Sequence, residues 1–164
     1  MKGKCVLSAA AALAVAAAVV LGAQAPAQAD AAQMAAVKER QELMKAIGGN
    51  AKTITDFLKE SKGSKEEAQA AAAKIGELAG QIPEAFEVEA SLSEMDAVGK
   101  NRGKPEIWLS WEEFTGRAET LQEKAEALAS SFDGDMAGVQ AAFGDMGKNG
   151  CGSCHDDFRG PKVE

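Results

Sequence analysis

The sequence predicts an all-α protein, an antiparallel four-helix bundle, and three observations carry that reading. Apolar residues recur at steps of three and four along most of the chain, alternating β-branched runs that would make strands are nearly absent, and breakers fall between the periodic stretches. Helices joined by two short connections and one long one pack as such a bundle.

Residues 1–29 stand outside the expected fold. Lys2 and Lys4 open the chain, an apolar run follows from Val6 to Leu21, and Ala27-Gln28-Ala29 supplies the small-x-small pattern of a signal-peptide cleavage site. The expected cut lies before Asp30, leaving residues 30–164 as one domain. A cut after Ala25 would put Pro26 just past the scissile bond, where proline is unfavourable. The apolar run is shorter than the ~20 residues a span needs, so no membrane span is expected in the mature chain. Cys5 would leave with the peptide. Loss of the two lysines takes the formal net charge from -7 to -9. A surface so acidic excludes nucleic acid and anionic lipid as partners, because both need clustered Lys and Arg.

The first helix is expected over about 31–60. Met34, Val37, Met44, Ile47, Ala51, Ile54 and Leu58 share one side with a lone polar intruder, Gln41. Gly48-Gly49 in its middle weakens it by up to ~1 kcal/mol per residue and points to close packing against something flat or bulky. Ser64 with Glu67 makes a capping box for a second helix over about 65–81, with Ala68, Ala71, Ile75, Leu78 and Ile82 inward and Pro83 as its end. Residues 84–103 lack clean periodicity and read as a long connection, either partly helical or lying across a functional surface. The third helix opens with Pro105 in its first turn and carries the cleanest stripe, from Ile107 and Trp111 through Phe114, Ala118, Leu121, Ala125 and Leu128 to Phe132. Asp133-Gly134-Asp135 turns the chain. The fourth helix runs over about 136–158 with Val139, Ala142, Phe143 and Met146 inward, and Gly160-Pro161 stops it. The many small inward residues leave room for a bulky guest.

The chemistry concentrates in "GKNGCGSCHDDFRG". Cys151, Cys154 and His155 form Cys-x-x-Cys-His, the attachment pattern of c-type haem. On a helix they stand at i, i+3 and i+4 and share a face, so two thiols can add to haem vinyl groups while an imidazole nitrogen reaches iron. Three weaker readings stand beside this one. A structural zinc site wants four ligands, and residues 30–164 offer two cysteines and one histidine. A thioredoxin-like pair would open a helix after a strand. A plain disulfide is the bland reading, since an exported thiol pair tends to oxidise unless a metal, cofactor or reductase holds it. No nucleophile-base pair is visible, and committing the one histidine to iron leaves no imidazole for general-base work, so no enzyme is expected.

Three stretches resemble the class II c-type cytochromes, the family of cytochrome c′ and its low-spin relatives such as cytochrome c-556. "RQELMKAIGGN" (40–50) is similar to the family's first-helix signature, "KPEIWLSWEEF" (104–114) to the opening of its third helix, and "CGSCHDDFR" (151–159) to its haem-binding end. The resemblance implies one covalent haem c, with thioethers at Cys151 and Cys154 and His155 as proximal ligand. Arg159 would lie near the proximal face and Arg40 near a propionate; for both, an ordinary solvated helix face is the alternative. Met44 would face the distal side. If its sulfur ligates, the iron is six-coordinate and the chain is a periplasmic electron carrier with a redox protein as partner. If it only packs there, the iron is five-coordinate and takes a diatomic gas, nitric oxide or carbon monoxide. "LMKAIGGN" resembles the methionine-ligated subgroup of the family, in which Lys and a glycine-containing turn follow the methionine, and that resemblance favours ligation. Monomer and homodimer are both open.

Overall fold

The computed structural model describes residues 25–90 and 101–161, with side chains from residue 31 onward. The expected leader lies outside the described residues up to residue 24, as does the 91–100 part of the long connection. Among the described residues there is no strand, and no helix is long and apolar enough to cross a membrane.

Helix α1 (Ala25–Glu60) buries Val37, Ile47 and Ile54, three positions of the expected stripe. The buried face is wider than that stripe, because Ala36, Arg40 and Leu43 are buried as well. Met34, expected inward, is 46% exposed; it precedes Ala36 and Val37, the first buried residues among the helix's described side chains. The chain then reverses through Ser61 and Gly63, both at positive φ, where the glycine at φ 81° avoids the Cβ clash. Ser64 caps α2 (Lys65–Ala79): Glu67 N donates to its Oγ at 3.1 Å, and Ser64 N donates to Glu67 Oε2 at 2.8 Å. All the inward positions expected of this helix are buried.

Two boundaries differ from expectation. Pro83 does not end α2 but sits in the first turn of a short separate helix, α3 (Ile82–Ala85), where its missing N–H is harmless. The expected third helix is split into α4 (Glu106–Leu109) and α5 (Trp111–Ser131) by Ser110 at φ -126°, ψ 49°, with Pro105 as the cap of α4 rather than within it. The Trp108 indole donates to the Phe86 carbonyl at 2.8 Å, which ties α4 to the segment after α3 instead of to the axis of α5. The stripe survives the break: Ile107 and every member from Phe114 to Phe132 are buried, and Trp111 is half-buried.

The last leg spans the expected residues but is not one α-helix. Asp135 caps α6 (Met136–Asp145) by accepting from Gly138 N at 2.7 Å. A π-helical segment, Met146–Gly152, follows, and then α7 (Ser153–Phe158). The wider π turn brings Gly150 hard against α5, where a Cβ would stand 3.0 Å from Leu121 Cδ1 and 3.4 Å from Leu121 Cα. A side chain here would require Leu121 to give by a few tenths of an ångström.

Helix α2 packs on both α1 and α5, and α5 packs on α6 and the π segment, giving a four-legged bundle. Ile54, Ile75, Leu128 and Phe132 belong to one continuous core. Where the legs would otherwise close on small residues, a cavity remains.

Candidate functional site

The cavity measures about 560 Å³, a size suited to a cofactor. All six site residues expected from the sequence line it: Arg40 and Met44 from α1, Cys151 from the π segment, Cys154 and His155 from α7, and Arg159 just after α7. Phe114, Ala118 and Leu121 of α5 contribute apolar wall, as do Ile82, Phe86 and Ile107 from the connection and its flanks. The long connection therefore does both things expected of it within its described parts, forming a turn of helix and covering the site with Phe86, Asn101, Arg102 and Gly103.

The end of α7 is fastened to that connection. Gly103 and Arg159 form an isolated antiparallel bridge, Lys104 N donates to the Phe158 carbonyl at 3.1 Å, and Gly160 N donates to the Arg102 carbonyl at 2.7 Å. The Arg102 guanidinium donates in turn to the Gly160 and Pro161 carbonyls. Phe158, buried edge-on against Phe114 at 5.3 Å between centroids, anchors the helix from within. His155 is thus held from both sides of the chain that follows it.

Both thiols are free and half-buried. Burial pushes the Cys154 thiol up to about 11 and moves Cys151 upward as well. Thiol-exchange centres have the reverse, a depressed pKa that exposes thiolate; here burial disfavours the thiolate form of both cysteines. Burial, reinforced by the Arg159 and Arg102 charges, lowers His155 to about 4. The imidazole is therefore neutral at physiological pH and keeps a lone pair for a metal. No cluster of three or more His, Cys, Asp and Glu suited to a lone metal ion occurs among the described residues.

Arg40 is not a solvated helix-face residue. It is 4% exposed, and it spends its donors on backbone: Nε on the Ala85 carbonyl at 2.8 Å, Nη1 on Ala90 at 3.3 Å, and Nη2 on Val88. Its guanidinium lies 4.7 Å from the Phe86 ring centroid and 5.1 Å from that of Trp108. Burial lowers its pKa to about 10. Arg159, by contrast, is exposed while bordering the cavity. Gly48 borders the cavity too, and among the described residues nothing beyond the helix's own backbone comes within 4 Å of a Cβ built there or at Gly49, which leaves the space beside Gly48 open to the flat or bulky group expected from the sequence.

Sequence reasoning missed Arg117. It lines the cavity from α5, pairs through Nη2 with Glu113 at 3.0 Å and with Asp157 at 3.1 Å, and keeps a buried Nε with no hydrogen-bond partner among the described residues. Its one sequence signal was its place beside Ala118 on an inward stripe.

The residues fit haem. A large apolar cavity, two free thiols, a neutral imidazole and an orphaned buried donor make a site for a broad, mostly apolar group with polar edges. Fold and site together define a helical c-type haem protein. The model of the family described as Cytochrome C' matches residues 35–159, and the chain belongs to that family, within the class II cytochromes, whose cofactor is haem c. The chain is 32% identical over 127 residues to cytochrome c-556 of Agrobacterium tumefaciens (strain B2A), covering 75% of this chain and 95% of that protein. Among solved structures it is similar to cytochrome c' from Thermochromatium tepidum, with a TM-score of 0.66, 25% identity, and coverage of 79% of this chain and 97% of that one. A nitric oxide complex of a cytochrome c prime mutant from Alcaligenes xylosoxidans matches with a TM-score of 0.64 and 25% identity, over 79% of this chain and 97% of that one.

Proposed function

We propose that this chain is a periplasmic electron carrier whose haem c is bound through thioethers at Cys151 and Cys154 and held between His155 and Met44. The observation that carries the reading is that Met44, from the first helix, lines the same cavity as both thiols and His155. Haem iron supplies a one-electron ferric/ferrous couple. Cys151 and Cys154 would hold the group through thioethers, each S–H adding across a vinyl group, which would keep it attached in either oxidation state. His155 offers its neutral nitrogen, and Met44 offers a thioether, a ligand that raises the reduction potential. Phe86, Phe114 and the aliphatic wall exclude water. Arg159 places positive charge at the cavity's border, suited to the proximal side, while Arg40, its donors engaged by the Ala85, Ala90 and Val88 carbonyls, would act on a propionate through its charge alone. No second imidazole is present in the chain for acid-base chemistry, which supports a carrier without a substrate of its own. The signal-like pattern over residues 1–29, two lysines, an apolar run and Ala27-Gln28-Ala29, supports export.

A second reading keeps the same haem and leaves Met44 as a packing residue over an open iron position. It is favoured by Met44's packing against the core cluster, and the nitric oxide complex among the solved relatives is in keeping with it. The ferric spectrum of the purified holoprotein separates the two. Six-coordinate low-spin iron that ignores carbon monoxide after reduction supports the carrier; high-spin iron that takes up carbon monoxide at once supports the gas-binding module.

A further inference from the structure

The cavity's cations are not equivalent. Arg40 and Arg102 direct their donors at backbone carbonyls and so serve the fold. Arg117 is held differently. Its Nη2 is fixed by Glu113 and Asp157, yet its Nε is buried with no partner among the described residues. An unmade buried hydrogen bond is a standing cost, and the wall that bears it lines the cofactor cavity. Asp157 lies two residues past His155, so the ion pair also locks this guanidinium to the helix that carries the Cys154 and His155 side chains.

We propose that Arg117 sets the reduction potential of the bound haem, as a fixed positive charge on the cavity wall whose buried N–H is kept for the cofactor rather than for the protein. Oxidation adds one positive charge to the haem. A guanidinium clamped nearby, where screening is weaker than in bulk water, opposes that step and favours the ferrous form. Glu113 and Asp157 partly offset the effect, so loss of Arg117 leaves two carboxylates uncompensated and moves the equilibrium towards ferric haem. The inference rests on haem occupying this cavity, and it holds whether or not Met44 ligates.

Spectroelectrochemical titration of holoprotein variants tests it, with haem content measured on the same samples so that loss of cofactor is distinguished from a shifted potential. At a fixed mediator potential, Arg117→Gln lowers the ferrous-to-ferric ratio about tenfold, a fall of about 59 mV for one electron. Arg117→Lys, which keeps the charge, stays within about threefold of the unmodified protein. Lys124→Gln removes a cation that pairs with Asp145 away from the cavity and leaves the ratio unchanged. A haem-loaded Arg117→Gln protein within about twofold of the original overturns the proposal, as does an equal shift in Lys124→Gln. If Arg117→Gln does not retain haem, Glu113→Gln decides: the ratio rises if the cluster acts on the haem, and an unchanged ratio overturns the proposal.

Discussion

Met44 and His155, from opposite ends of the sequence, wall a single cavity, one from the first helix and the other from the last. Two other legs of the bundle and a long connection separate them along the chain. Their meeting is a product of helix packing, and it turns a local attachment motif into a site with two candidate axial ligands.

The attachment chemistry is tested at the thiols. Cys151→Ser with Cys154→Ser leaves haem extractable by acidified organic solvent and returns the polypeptide to its haem-free mass; the unmodified protein keeps haem under the same treatment. Retention by the double variant would show that the thiols are not the point of attachment.

Arg40 is expected to matter for stability as much as for the cofactor. Arg40→Ala strips donors from the carbonyls of Ala85, Val88 and Ala90 and removes the cation stacked on Phe86 and Trp108. A loss of about 3 kcal/mol, seen as a fall of about 10 °C in Tm, follows from buried carbonyls left unpaired. Arg40→Lys recovers only part, because an ammonium lacks the planar fork. Thermal unfolding followed by far-UV circular dichroism checks both.

The π segment depends on close approach at Gly150. Gly150→Ala puts a methyl against Leu121 Cδ1, which can rotate away, and against Leu121 Cα, which cannot. The expected cost is about 1–3 kcal/mol of overpacking, with a lower yield of haem-loaded protein because Cys151 is the next residue. Urea unfolding of the purified holoprotein gives the first figure, and the ratio of haem to protein gives the second.

Much of the bundle was legible because its signals are local. The capping box at Ser64 and Glu67, the α5 stripe and the turn at Asp133-Gly134-Asp135 each need only a few neighbouring residues to be read. The site motif was legible for the same reason, since Cys151, Cys154 and His155 fall within five consecutive positions. What escaped notice depends on distant partners. The break at Ser110 goes with an indole bond to Phe86 carbonyl, and the π turn accompanies contact between Gly150 and Leu121; neither leaves a periodic trace. Arg40 shows the limit most clearly: its position on α1 was read, but its burial was not, because three of its acceptors lie on a segment without any repeating pattern.

The claim at the centre is that the Met44 sulfur reaches the iron, and the comparison of unmodified holoprotein with Met44→Ala by electron paramagnetic resonance and carbon monoxide binding tests it most directly. Ligation predicts a low-spin ferric signal that becomes high-spin in Met44→Ala, together with carbon monoxide uptake by the reduced variant alone. A high-spin signal in the unmodified protein, with carbon monoxide bound equally by both, would contradict it.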